Sequence, residues 1–440
     1  MGCVAVRCEV HPLSNASDSL TNADRLALFQ TILDDPEQDA PRLILADWLE
    51  EHGEATHAEL IRLQIERDDL LQRCPTHPAL DDLNYRIDRI AHDVEMRVHR
   101  RLPRIAGVRW GHWEKGWPRL LQVAKLRIYL DHAAELHAAA PWDRLRIEDA
   151  PSLADLVELG SRVQAAVLLS TLIFRPNSMD HHRVRELARG THFKRLRRLV
   201  LSGHHINRAC VEMLTDSLNL SRLKVLDLTE SRIGLGGMRA LSGSNRLEGL
   251  TDLNLSGNFA DLGDKGLEAL ARATSLPRLV RLSLARNQLG TDDLDILADS
   301  PRLERLEILD LSHNRLPGEA LAALLYSPAV RNLRRLHLGG NAIHAAALRE
   351  IADSPRLERL EILDLTPIAA TPKLADMLTC SIIWPNLAQI VLRRPDDLTH
   401  HQIDQLHERF EGKLRLWTSR LPTRKTALET TWIDHEVSVW

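Results

Sequence analysis

Asp310, His337 and Asp364 follow one another at intervals of 27 residues. Two carboxylates flanking an imidazole are a set that moves protons or ligates a metal ion. Ser312 adds a hydroxyl of the kind a hydrolase activates, so the trio frames a hydrolase or metal-dependent enzyme. A second candidate is His132, Glu135 and His137. A zinc helix needs its two histidines four residues apart, about 40° around the axis. Here they are five apart, roughly 140° at 3.6 residues per turn, which excludes that site. The third is the segment 97–119, with Arg97, Arg100, Arg101, Arg104, Arg109, Lys115 and Arg119 among Trp110, Trp113 and Trp117. Cations for phosphates and aromatics for bases would make a nucleic-acid surface.

Which of these groups meet depends on the scaffold. Trp142, Leu169, Leu196, Leu223, Leu250, Leu279, Leu306, Leu333, Leu360 and Leu387 form a ladder of eight 27-residue intervals and one of 29. Each anchor opens an L-x-x-L-x-L pattern or a variant of it, as in Leu306-Leu309-Leu311. Such a period is the signature of a leucine-rich-repeat solenoid, a mixed α/β fold whose repeats bury their apolar faces against one another. Positions 1, 4 and 6 point inward, and positions 3, 5 and 7 point to the opposite face of a short strand. The rest of each repeat returns as a helix, stopped at Pro301, Pro328 and Pro355. Helices about 10 Å wide opposite strands about 4.8 Å apart curve the stack with the strands inside. Position 9 holds Asn258, Asn287, Asn314 and Asn341, whose amides can satisfy backbone groups of adjacent turns. Earlier repeats have His204 and Ser231 there, later ones Ile368 and Pro395, so the ladder wears at both ends. Residues 298–311 recur identically as 352–365, two repeats later. Unit length and helical return resemble the ribonuclease-inhibitor-like class of leucine-rich repeats.

At 440 residues with a formal charge of −4, the chain offers no overall electrostatic case for nucleic acid or anionic membrane. Its 4% aromatic content fits a core built from leucine. The cysteines Cys3, Cys8, Cys74, Cys210 and Cys380 are odd in number and form no C-x-x-C pair, so neither a disulfide framework nor a zinc site is expected. No apolar run is long enough to span a bilayer. The start lacks a secretory core, and Val6 stands where myristoylation needs Ser or Thr. A cytoplasmic protein is expected.

Ahead of the ladder, residues 22–73 read as three helices. The first is capped by Asn22 or Asp24, with Leu26, Phe29, Ile32 and Leu33 on one side; the second is capped by Asp39 and ended by Gly53; the third runs from about Ala58 to Pro75. Asp47, Glu50 and Glu51 form a charged helix face suited to ion pairs with Arg42 or Arg62. The stretch from Asp34 to Gly53, with Arg42-Leu43, Ala46-Asp47-Trp48-Leu49-Glu50-Glu51 and Gly53, and the stretch from Ala58 to Gln64 together resemble the repeat-companion domain of planctomycete-type bacterial proteins. Leu45 stands where that family has Tyr. The resemblance implies an architecture, with repeats downstream, and no activity.

The expected organisation is a flexible stretch 1–21, a helical companion domain 22–73, a connecting helix and cap 75–141, a solenoid 142–413 of nine or ten repeats, and a cap and tail 414–440. Residues 79–101 read as a helix, Trp110 and Trp117–Val123 as short strands, and the tryptophans as a cap on the open solenoid end. On the strand face, position 5 reads Val200, Asp227, Asn254, Ser283, Asp310, His337, Asp364 and Val391; position 3 reads Arg198, Val225, Asp252, Arg281, Ile308, Arg335, Ile362 and Gln389. Arginine mixed with apolar residues is recognition chemistry, whereas an open sheet offers a catalytic trio neither pocket nor oxyanion hole. The expectation is therefore a non-catalytic scaffold, with no cofactor and no metal. It would bind an unidentified protein partner through Asp227, Asn254, Arg281, Ser283, Asp310, Arg335, His337 and Asp364.

Overall fold

The computed structural model describes residues 16–73, 77–161, 167–273, 276–300, 303–343, 347, 350–351, 354–369, 389–393 and 414–417. Cys3, Cys8, Cys74, Cys380, Pro75, Pro301, Leu387, Pro395, Trp432 and Trp440 lie outside them. Four helices lead the chain: α1 (Ala16–Asp34), α2 (Ala40–Glu51), α3 (Ala55–Arg73) and α4 (Ala79–Arg101). Helix α1 takes in residues 16–21, expected to be a flexible lead, so Asn22 and Asp24 lie inside it rather than at its cap. Asp39 heads α2 but makes no side-chain cap bond. Its carboxylate is drawn instead to the ammonium of Lys115, since a charged donor outcompetes a neutral N–H. Gly53 ends α2 with φ of 81°. Arg62 bridges Asp47 and Glu50, each at 2.7 Å, as a solvated ion-pair face should.

These helices are built around a hairpin. Strands β1 (Val108–Glu114) and β2 (Trp117–Val123) pair antiparallel, and the Lys115-Gly116 turn between them inserts against α3. Gly116 N–H donates to Gln64 Oε1 at 2.9 Å, and its carbonyl meets His57 Nε2 at 3.0 Å. Gly116 has φ of 76°, and a Cβ there would lie 2.8 Å from His57 Nε2 and 3.1 Å from Ile61 Cγ1. Next to it Trp117 packs edge-on against Phe29 at 4.9 Å between centroids. Below the turn lies a buried ion network. Arg119 donates to both carboxylate oxygens of Asp143, at 3.1 and 3.0 Å, and to Glu114 at 2.9 Å. Burial alone would raise the pKa of Asp143, but the charges of Arg119 and Arg144 with the Arg119 and Ser170 hydrogen bonds together outweigh it and hold the carboxyl below its usual range. Arg195, in the segment before the fifth strand, bonds Asp34 at 2.6 Å and the Leu33 carbonyl at 3.2 Å. One apolar core consequently runs without a break from Phe29 to Ile390.

The solenoid continues from the hairpin. Strands β3 (Arg144–Ile147), β4 (Thr171–Phe174), β5 (Arg198–Val200), β6 (Val225–Asp227), β7 (Asp252–Asn254), β8 (Arg281–Ser283), β9 (Ile308–Asp310), β10 (Arg335–His337), β11 (Ile362–Ala369), β12 (Gln389–Arg393) and β13 (Leu414–Trp417) follow in chain order. Each pairs only with its sequence neighbours, and β2 to β13 are all parallel. The ten ladder anchors thus correspond to β3–β12, and β13 extends the sheet. Helices α5 (Leu126–Ala139), α6 (Leu153–Ser161), α7 (His181–Arg189), α8 (Arg208–Asp216), α9 (Gly234–Gly243), α10 (Phe259–Ala271), α11 (Thr291–Ala298) and α12 (Leu321–Tyr326) return between strands. The 29-residue repeat holds α10, which at 13 residues is longer than its neighbours α9 and α11, with 10 and 8.

Three periodic devices hold the turns. Asn314 Oδ1 accepts from the N–H groups of Asn287 and Leu289 at 2.8 and 3.2 Å, and its Nδ2 donates to the carbonyls of Leu284 and Leu311 at 3.0 and 2.8 Å. Asn258 does the same one repeat pair earlier. Position 8 is left-handed in six successive repeats, at Gly203, Glu230, Gly257, Arg286, His313 and Gly340. On the helical side, the hydroxyls of Ser217, Ser244, Ser300, Ser327 and Ser354 each donate to a carbonyl near the end of the preceding helix, 29 residues earlier, satisfying groups that a helix end leaves orphaned.

Candidate functional site

The strand register places Arg335 between Ile308 and Ile362, and His337 between Asp310 and Asp364. Among strands β5–β11, only there are positions 3 and 5 both half-exposed; Arg198, Val225 and Arg281 are half-exposed at position 3 alone. Asp227, Asn254 and Ser283, expected in an exposed stripe, are buried at 3%, 4% and 0% exposure. The reason lies two residues ahead. Asp227 Oδ1 accepts from the N–H and hydroxyl of Thr229 at 2.9 and 2.6 Å, and Asn254 Oδ1 from those of Ser256 at 3.0 and 2.7 Å. These side chains fold back on their own turn, as Asx residues do. Ser283 is short enough to lie between Ser256 Oγ at 2.7 Å and Asp310 Oδ2 at 2.9 Å. Asp310 and Asp364 make the same turn with Ser312 and Thr366. The signal was in the sequence as a recurring [Asp/Asn]-Leu-[Ser/Thr].

His337 keeps 31% and Asp364 26% of its side chain exposed, with Nδ1 to Oδ2 at 3.4 Å. Burial pulls the pKa of His337 down, but the Asp364 hydrogen bond and the charges of Asp310 and Asp364 override it, so the net shift is upward. Burial pushes Asp364 up, and the His337 and Thr366 contacts more than reverse it. Arg281 is tied to the buried Asp252 on the neighbouring strand. Arg335 is lowered, mainly by burial, with Glu361 opposing and Arg281 and Arg334 adding repulsion. The Ser312 hydroxyl is committed to Asp310 at 2.6 Å rather than to His337. Among the described residues no three His, Cys, Asp or Glu side chains converge as a metal site.

The other two candidates resolve into structure. Arg97 pairs with Asp93, Arg101 with Glu54, Lys115 with Asp39, and Arg119 with Asp143 and Glu114. Trp117 is buried, Trp110 and Trp113 are partly buried against the core, and Trp110 sits edge-on to Trp142 at 6.3 Å. These rings pack against the apolar core rather than form an exposed stacking row. His132 meets Glu135 at 3.3 Å. His137 turns inward, stacked on Trp142 at 4.3 Å and 3.0 Å from the Tyr129 hydroxyl, where burial lowers its pKa to about 4.

Residues 250–271 match the family described as Leucine Rich repeat, and residues 305–325 that described as Leucine Rich Repeat. With the register above, they support an α/β leucine-rich-repeat solenoid. No curated protein matches the chain. Solved structures similar to it include the following three. The tropomodulin C-terminal domain of Caenorhabditis elegans is 12% identical with a TM-score of 0.25, covering 41% of this chain and 92% of its own. The TLR13–ssRNA13 complex is 17% identical with a TM-score of 0.37, covering 70% of this chain and 42% of its own. The yeast Rad7 and Elc1 complex is 17% identical with a TM-score of 0.42, covering 81% and 92%. Among the described residues no helix is long and apolar enough to cross a membrane.

Proposed function

We propose that the chain is a non-catalytic scaffold that binds a partner protein in the cytoplasm through the inner strand face of its leucine-rich repeats. Of the eight residues predicted, Arg281, Asp310, Arg335, His337 and Asp364 would contact the partner. Asp227, Asn254 and Ser283 would hold the turns beneath them. The observation that carries this reading is that, among strands β5–β11, positions 3 and 5 are both half-exposed only on β9, β10 and β11, where Ile308 and Ile362 flank Arg335. A guanidinium set between two aliphatic side chains is the composition of an interaction hot spot. Helices α1–α3 fit a repeat-companion domain that closes the amino-terminal end of the core. A photo-crosslinking residue at Ile362 is expected to capture a protein from the native cell extract, and the same residue at Asp295 on the helical side is not. Capture from Asp295 and none from Ile362 would move the interface to the convex side.

A further inference from the structure

The repetition of 298–311 as 352–365 gives β11 the same opening Ile-Leu-Asp as β9, with the different strand β10 between them. The result is a set of columns running acid, base, acid across the face. Glu307, Arg334 and Glu361 stand side by side, with Arg334 at 2.9 Å from Glu361 and 3.7 Å from Glu307. Asp310, His337 and Asp364 form the second such column, three residues further along the strands. Four carboxylates therefore surround two arginines, Arg334 and Arg335, a surplus of two negative charges that a proton on His337 reduces to one.

The two aspartates are preset. Oδ1 of each is fixed by the N–H and hydroxyl two residues ahead. Oδ2 of Asp364 faces His337, and Oδ2 of Asp310 accepts only the neutral Ser283 hydroxyl at 2.9 Å. They lie two strands apart, roughly 9.6 Å, with a weak base midway. The charged groups around His337 are Asp310 on β9, Asp364 on β11 and Arg335 on its own strand; the titratable His313, in the turn after β9, interacts with the same two aspartates and with Arg286.

We propose that β9–β11 is a docking surface for a lysine- or arginine-bearing segment of the partner, and that His337 is the resident counter-ion whose place between Asp310 and Asp364 the partner's cation takes. The inference rests on the inner-face reading above and adds the chemistry of the partner. A neutral imidazole leaves both carboxylates uncompensated, so docking strengthens as pH rises. A protonated imidazole competes with the incoming cation and weakens it.

The test uses the full chain and two fluorescein-labelled probes, hexalysine and hexaglutamate, followed by anisotropy between pH 5.5 and 8.5. Asn254 already makes the same turn that Asp310 and Asp364 make, so Asp310→Asn with Asp364→Asn removes charge while keeping the backbone device. Hexalysine is expected to bind about five- to tenfold tighter at pH 8 than at pH 5.5, with most of that change absent in His337→Gln. The double Asn variant is expected to lose about tenfold at pH 8, with an unchanged melting temperature, while hexaglutamate responds to none of these changes. Hexalysine affinity indifferent to the double variant, or an unaltered pH response in His337→Gln, overturns the proposal. If Ile362 still crosslinks a partner in that event, only the basic chemistry falls; if it does not, the inner-face reading falls with it.

Discussion

Replacing Gly116 by alanine tests whether the helical unit and the repeats are one folding body. The added Cβ meets His57 Nε2 at 2.8 Å, His57 Cδ2 at 2.9 Å and Ile61 Cγ1 at 3.1 Å, at a φ of 76°. Left-handed backbone costs an L-residue about 1–2 kcal/mol, and overpacking a tight site about 1–3 kcal/mol. Strain and overlap together come to about 2–5 kcal/mol. Each of the bonds to Gln64 and His57 that breaks in relieving the overlap adds ~1 kcal/mol. Gly53→Ala is the control. Its φ is 81°, yet nothing lies within 4 Å of the new Cβ, so it carries the conformational cost alone. Hydrogen exchange by mass spectrometry reads α2 and α3 against the repeats in the same molecule. A loss of 2 kcal/mol is about 30-fold faster exchange at 1.4 kcal/mol per decade. The acceleration should be confined to the helical unit and should exceed that of Gly53→Ala. Amides of α2 and α3 within threefold of wild type would refute the idea that the hairpin turn holds this unit in place.

Three further outcomes follow from the repeats. Asn314→Ala strips three buried backbone groups of their side-chain partner, the Leu311 carbonyl keeping Asn341 Nδ2; at ~1 kcal/mol each, urea unfolding should show a loss of about 3 kcal/mol, and a loss under about 1 would remove the asparagine from its bridging role. Gly339→Ala places a Cβ 1.8 Å from the Thr366 carbonyl oxygen, an overlap only backbone movement relieves. Its thermal unfolding should fall by about 3 kcal/mol or more, and a wild-type melt would contradict the packing of β10 on β11. His204, 1% exposed, has its pKa lowered by burial to about 4, against about 6.5 when unfolded. The unfolded chain takes the proton first, so stability is full above pH ~6.5 and declines toward pH ~4, by up to about 3 kcal/mol. His204→Asn should flatten part of that decline, and parallel pH curves for the two proteins would exclude His204 as its source.

The ladder was legible because each anchor and its two followers point into the same core, so contact and period are the same fact. Trp142 and Leu169 to Leu360 are buried throughout. The asparagine bridges were legible for a related reason: they recur in phase. The strand face was read less well. Period 2 assigns Asp227 and Asp364 to the same side, but exposure also depends on neighbouring strands, and Ser283 and Val200 close over what the open column at β11 leaves accessible. The position-22 serines were equally periodic, yet they stand among helix-ending residues where a serine draws no notice. The hairpin plug left no local trace at all. His57 and Gly116 are 59 residues apart, and no pattern in either segment names the other. Arg119 and Asp143 are similar: the composition of 97–119 advertised a basic surface, and only the fold shows that its deepest cation is matched by a carboxylate 24 residues on.

The identical segments 298–311 and 352–365 bear on how this chain reaches its native state. The segment 352–365 carries the same leucines, and the same Glu-Ile-Leu-Asp run, as 298–311. Either copy can therefore add to a growing stack ending at β8. If the later copy arrives first, it seats with good local contacts and leaves two repeats looped out. That trap is one the surrounding sequence must undo, because the copies themselves carry no information about order. Between two molecules the same ambiguity becomes an exchange of repeats. In the gene, two matching stretches 54 residues apart allow the array to lengthen or shorten two repeats at a time, and each such step would carry the acid–base–acid face with it whole.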